Sequence, residues 1–152
     1  MYSLVLDNGD IAKHAAYIYA IYAEGFRALY VGQTFSRSGA LGRLSQHLSD
    51  TSSNTFKQRL CAQFGYATVK VGAVRFFAFK LSEEHESFYL ESRDYREAVE
   101  MLVQCKVLSE LSSRKKNVVV VSRVSSNAYT RLKYIQDEAD LVSVAMVDWL
   151  GK

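Results

Sequence analysis

The sequence predicts a mixed α/β fold of the α+β kind: a small central β-sheet containing an antiparallel hairpin, flanked by helices, with an extra strand and a long helix at the C-terminal end. Three observations lead there. Two runs rich in aromatic and β-branched residues, Tyr17 to Ala23 and Arg27 to Gln33, stand on either side of Glu24-Gly25. A nearly continuous apolar stretch, Phe76-Phe77-Ala78-Phe79, suits a strand buried on both faces. Apolar residues then recur at helical spacing between Asp94 and Leu111, and again beyond Ser126.

The first pair of runs reads as a β-hairpin, with Gly25 supplying the positive φ that its turn needs. A turn centred on Glu24-Gly25 sets Tyr19 directly across from Tyr30. Directly opposed side chains share a face with their Cβ atoms ~5 Å apart, so this register stands two phenols side by side. After a loop around Ser36 to Gly39, the spacing of Leu41, Leu44 and Leu48 predicts a helix over Ala40 to Asp50. Its opposite stripe carries Arg43 and His47 at i and i+4, so guanidinium and imidazole can be presented together. Asn54 is the expected cap of a second short helix with Phe56, Leu60 and Phe64 as its buried ridge and Lys57 and Arg59 as an exposed basic rim.

The next strand falls within Val69 to Leu81, and its apolar run predicts a place at the centre of the sheet. The helix over Asp94 to Leu111 has Ala98, Met101, Leu102, Cys105 and Leu108 as its expected core stripe, with Glu97 and Glu100 displaced from it. Glu100 is the odd residue: it stands between Val99 and Met101, at the edge of apolar surface where an unpaired charge is costly. Asn117 leads into a strand at Val118 to Val121, and Ser125-Ser126 can cap a final helix with Leu132, Ile135, Ala139, Val142, Met146 and Trp149 facing inward.

Composition bounds the rest. The length of 152 residues suits one domain, expected to span 1–152 with a core at about 15–120 and a helical extension at about 125–150. No repeat or low-complexity tract marks a boundary. Two distant cysteines, Cys61 and Cys105, give neither a disulfide framework nor a paired-cysteine zinc site. Asp7 and Asp10 stand where a secretory signal would be basic and then apolar, and no apolar run is long enough to span a bilayer, so a cytoplasmic protein with no membrane association is expected. Net charge is +3 but uneven: residues 1–80 carry nine Lys and Arg against four Asp and Glu, the remainder ten against twelve. That asymmetry is compatible with an anionic partner met by the N-terminal elements.

Tyr17-Ile18-Tyr19, ten residues, Tyr30-Val31-Gly32, then Arg43 and His47, then Ala98-Val99-Glu100 with Val103, form an ordered set that resembles the GIY-YIG nuclease family over about 15–120. The chain departs from the family pattern at Tyr17, where the first triplet usually has Gly, and at Val31 for Ile. The resemblance implies a small mixed sheet flanked by helices, on which Tyr19, Tyr30, Arg43, His47 and Glu100 surround a scissile phosphate. It implies one Mg²⁺ or Mn²⁺ held by Glu100, since such hard cations accept a single carboxylate with waters and substrate oxygens. Arg43 would supply a fixed fork for the non-bridging oxygens, Tyr19 would be the general base with His47 as runner-up, and Tyr30 and His47 would orient water or phosphate. Asn117 is the nearest match for an Asn that family members often carry after the glutamate, at a longer spacing than usual; Asn127 is the other choice.

The expected activity is divalent-metal-dependent endonucleolytic hydrolysis, with DNA ahead of RNA as substrate and Arg37, Lys57 and Arg59 meeting its phosphates. A degenerate relative that binds nucleic acid or a protein partner without cutting is the alternative. So short a chain has little room for a separate sequence-reading domain, which leaves specificity to loops, the C-terminal helix, a homodimer or a partner protein. Each residue also has a plainer reading. A tyrosine pair across a hairpin can be packing, Arg43 and His47 a solvated helix face, Glu100 an ion-pair partner of Arg96 or Lys106, and Arg114-Lys115-Lys116 a solvated loop.

Overall fold

The computed structural model describes residues 8–50, 54–123 and 126–151. Four strands form one mixed sheet, β1 (Tyr17–Ala23), β2 (Ala28–Thr34), β3 (Val74–Lys80) and β4 (Val119–Val120), in the order β3-β1-β2-β4. β1 runs antiparallel to both β2 and β3, and β4 runs parallel to β2. Among the described residues there are five α-helices: α1 (Gly39–Leu48), α2 (Thr55–Phe64), α3 (Glu86–Glu91), α4 (Arg93–Ser113) and α5 (Lys133–Gly151). None is long and apolar enough to cross a membrane.

The sheet is covered on both faces. Ile18 and Ala20 of β1, with Leu29 and Val31 of β2, pack against the apolar sides of α4 and α5. Their neighbours Tyr19, Ile21, Ala28 and Tyr30 turn the other way and meet Leu44 of α1 and Phe56 and Leu60 of α2. Side chains alternate along a strand, so burial of both sets requires an apolar residue at every position, which is what YIYAIYA supplies. Tyr17, the departure from the family pattern, has a task of its own: it is buried against Ala15 and Ala40, and its hydroxyl donates to the Asp10 carbonyl at 2.7 Å. It ties the 3-10 turn Gly9–Ala12 to the sheet. Gly39, with φ of +60°, completes that joint, because a Cβ there would lie 2.3 Å from the Ile11 carbonyl oxygen.

Four expectations are corrected. The hairpin turn is longer than two residues: Glu24–Phe26 form a 3-10 turn and Arg27, not Gly25, takes the left-handed conformation at φ 47°. Tyr30 therefore faces Ile21, and Tyr19 faces Gly32. A shift of two residues leaves every side chain on its own face, so the phenols still share a side and approach diagonally, ring centroids 6.3 Å apart. Second, β3 is an edge strand and not the centre of the sheet. Its apolar run is still used on both faces, Phe77 and Phe79 towards α4 and α5, Phe76 and Ala78 towards the other layer.

Third, α4 is rotated from the expected stripe. Ala98, Val99, Val103, Val107 and Leu111 are buried, while Cys105 and Leu108 are exposed. Periodicity alone offered two overlapping stripes. Buried polar contacts choose between them: Arg96 donates from Nε to Gln33 Oε1 at 3.0 Å and from Nη1 to the Tyr89 carbonyl, which pins this turn of the helix against the end of β2. Arg96 is thus no partner of Glu100, and Lys106 pairs with Asp140 at 2.6 Å. Fourth, the C-terminal segment is capped by Asn127, whose side chain accepts from the Tyr129 N–H at the head of the 3-10 turn Ala128–Arg131. Ser126 is exposed, and Ser125 lies outside the described residues. Ile135, Ala139, Val142 and Met146 are buried as expected, with Leu132 and Trp149 half-buried at the ends.

Candidate active site

β4 pairs only with Ala28 and Leu29, so among the described residues the outer edge of β2 has no strand neighbour beyond them. Into that gap α4 delivers Glu100, and the Gln33 backbone N–H reaches its carboxylate. Around the same place lies a cavity of about 280 Å³ lined by Tyr19, Tyr30, Gly32, Gln33, Arg43, Thr55, Arg59, Arg93, Glu97, Glu100 and Arg123. It therefore gathers four arginines and two glutamates from α1, α2, α4 and the segment after β4.

Gly32 explains how a tyrosine from β1 reaches this cavity. It sits directly across from Tyr19, and a Cβ on it would lie 2.4 Å from the Tyr19 hydroxyl oxygen and 2.5 Å from Cζ. The phenol occupies the space that a side chain at 32 would fill. Its oxygen is met from two sides. Arg43 Nε–H points to it at 3.4 Å, and His47 Nε2 lies 2.7 Å away. His47 Nδ1 accepts the Phe56 N–H at 3.2 Å, so a neutral ring carries its proton on Nε2 and donates it to Tyr19. Burial, with the Arg43 charge adding to it, pushes the imidazole pKa down to about 3, which keeps it neutral. Tyr19 is pushed far above the ordinary phenol range by burial first and by Tyr30 next, against the smaller opposing pull of Arg43.

Glu100 is only 8% exposed. Its nearest side-chain donor is Gln104 Nε2 at 3.2 Å, and no cation of the described residues forms an ion pair with it. Burial, followed by the Glu97 charge, pushes its pKa up to about 8, against Arg93, Arg43 and the Gln33 N–H. Arg43 donates from Nη1 to Gln46 Oε1 at 2.6 Å, and Arg93 is bound to Glu97 at 2.7 Å.

Of the residues expected from sequence, Tyr19, Tyr30, Arg43, Glu100 and Arg59 line the cavity. His47 does not: it is fully buried and reaches the cavity only through Tyr19. Asn117 lies elsewhere, in a hollow with Arg27, Lys115 and Lys116 before β4, because β4 meets the start of β2 and the cavity lies at its end. Asn127 is occupied with capping and with the Asp94 carbonyl. Lys57 is half-buried rather than exposed; it turns to Asp50 and the Ser49 carbonyl, and Arg37 is exposed outside the cavity. Arg93, Glu97, Gln33, Thr55 and Arg123 are the lining residues that the sequence did not single out. Only Glu97 had a signal, lying three residues before Glu100 and displaced with it from the apolar stripe.

The donor set fits one hard divalent cation. Glu100 is a buried carboxylate facing a polar cavity, with no ion-pair partner among the described residues, and Glu97 lines the same cavity. Among the described residues no three His, Cys, Asp or Glu converge, so a cation here would rely on one or two carboxylates, with waters and substrate oxygens completing its shell. No protein-family model, curated protein or solved structure matches the chain.

Proposed function

We propose that this chain is a GIY-YIG-type endonuclease that hydrolyses phosphodiester bonds of nucleic acid, DNA ahead of RNA, with one Mg²⁺ or Mn²⁺. The observation that carries this reading is the convergence of Tyr19, Tyr30, Arg43 and Glu100, drawn from four separate elements, on one arginine-rich cavity. Packing alone does not call for a buried carboxylate in a cavity lined by four arginines, and a module that only binds phosphate has no use for it.

In this reading the arginines receive the phosphodiester, with the Arg43 fork on its non-bridging oxygens where charge grows as the phosphorus is attacked. Glu100 would hold the cation, which would supply Lewis acidity and relief of charge on the leaving oxygen. Tyr19 is held by two donors, His47 Nε2–H and Arg43 Nε–H, which leaves its own proton for the hydrogen bond it shares with the Tyr30 side chain at the cavity wall. As a phenol it can only donate there. Loss of that proton to bulk water would leave a phenolate stabilised by the same two donors, which could then take a proton from the attacking water. Tyr30 walls the cavity beside it and orients water or phosphate. His47 acts through Tyr19 as a positioning residue.

The test is cleavage of supercoiled plasmid, linear DNA and structured RNA by wild type and Glu100→Ala, each with Mg²⁺, Mn²⁺ or chelator. Metal-dependent cutting by wild type and none by the variant is the expected result. Salt-sensitive binding without cutting by either protein would instead favour the non-cleaving binding module.

A further inference from the structure

Resting on that nuclease reading, we propose that Glu97 is a second cation ligand held in reserve by Arg93 and released when a substrate phosphate takes the guanidinium. The two residues stand four apart on α4, with Arg93 Nε 2.7 Å from Glu97 Oε1. Glu97 and Glu100 stand three apart on the same helix and line the same cavity. At that spacing their Cβ atoms are roughly 5–6 Å apart, close enough for one oxygen of each to reach a single ion.

The ion pair is weak where it must yield. The Arg93 side chain is 73% exposed and that of Glu97 28%, so water screens the attraction. Arginine also precedes glutamate here, the less favourable order along a helix. A phosphate offers the Arg93 fork two oxygens and a full charge, and it arrives in a cavity where Arg59 and Arg123 also await it. Glu97 is then left beside Glu100 with no partner, and a divalent ion satisfies both carboxylates at once. Before substrate arrives, Arg93 occupies the Glu97 carboxylate and keeps it from a cation. Full cation affinity therefore develops only with nucleic acid in place, and by linkage each ligand strengthens the other.

The experiment follows free Mn²⁺ by electron paramagnetic resonance during titration of the full chain. Wild type, Arg93→Ala, Glu97→Gln and the double variant are compared, with and without a short phosphorothioate duplex that resists cutting. Without duplex, Arg93→Ala should tighten Mn²⁺ binding about tenfold and Glu97→Gln should leave it unchanged. With duplex, Glu97→Gln should weaken it about tenfold. The gain in Arg93→Ala should vanish in the double variant. Persistence of that gain without Glu97 would mean simple charge removal and overturn the proposal, as would Glu97→Gln weakening both states equally or neither. Loss of Mn²⁺ binding in Glu100→Ala, combined with indifference to Glu97, would overturn this proposal while leaving the nuclease reading in place. A wild type that binds the duplex but never Mn²⁺ would sink both.

Discussion

The His47 imidazole donates to the Tyr19 hydroxyl: Nε2 and Oη are 2.7 Å apart, and the Phe56 N–H on Nδ1 leaves the ring proton on the side facing tyrosine. A backbone amide at the second position of α2 thus sets the hydrogen-bond role of a phenol on β1, with a fully buried histidine of α1 between them. His47→Phe keeps an aromatic ring there but leaves the Phe56 N–H and one lone pair of Tyr19 unmet. The expected cost is about 1–3 kcal/mol by chemical denaturation, with kcat lower by roughly ten- to a hundredfold and KM little changed. An unchanged kcat in a folded variant would remove His47 from the mechanism.

Glu100 makes stability and activity pull in opposite directions with pH. Its folded pKa of about 8 lies above the ordinary 4.5, so its contribution to stability is complete below pH 4.5 and is lost as pH rises through 8. The loss is on the order of a few kcal/mol, and Glu100→Gln should flatten it in melting experiments at pH 5, 7 and 9. Mg²⁺ must displace the same proton. Its stabilising effect on wild type should therefore grow from pH 6 to pH 8 and be absent in the variant; equal Mg²⁺ effects at both pH values would contradict the assignment.

Gly32→Ala tests the close approach of the two strands' residues at the cavity. A methyl group 2.4 Å from the Tyr19 oxygen must displace the phenol, because the backbone of paired strands cannot withdraw. Overpacking of this kind costs about 1–3 kcal/mol, and cleavage should fall by at least the factor seen for Tyr19→Phe. Full activity at unchanged stability would show that the tyrosine has somewhere else to go.

Arg59 and Lys57 are two residues apart on α2 yet differ in outlook, Arg59 towards the cavity and Lys57 towards Asp50. Arg59→Ala should weaken binding of a duplex and reduce the slope of log affinity against log salt by about one. Lys57→Ala should leave that slope where it was. Identical slopes for the two variants would mean that nucleic acid does not enter by way of α2.

Asn117→Ala provides the contrast for the site as a whole. Asn117 lies in another hollow, so plasmid cleavage by this variant should match wild type. A loss comparable to that of Glu100→Ala would show that the β4 segment rearranges to bring the amide into the cavity.

The sequence by itself determined where the strands lie and which residues of β1, β2 and α1 share a face. Alternating and continuous apolar runs fixed which segments are strands, because a strand covered on both sides has no position where a polar residue is comfortable. The parity of residues along β1 and β2 put Tyr19 and Tyr30 on one side, and that survives any even slip in pairing. The i, i+4 spacing of Arg43 and His47 put them on one stripe of α1, where both meet Tyr19. Tertiary structure decided what local periodicity cannot carry. The register followed the 3-10 turn and the left-handed Arg27, the rotation of α4 followed the bonds of Arg96 to Gln33 and Tyr89, and the edge position of β3 followed strand order. Arg59, Arg93 and Arg123 came to line one cavity with Glu100 only once α2, α4 and the segment after β4 had packed around the open end of β2. Tyr19 and Arg123, 104 residues apart in the chain, line that one cavity, and no local pattern of side chains encodes such a meeting.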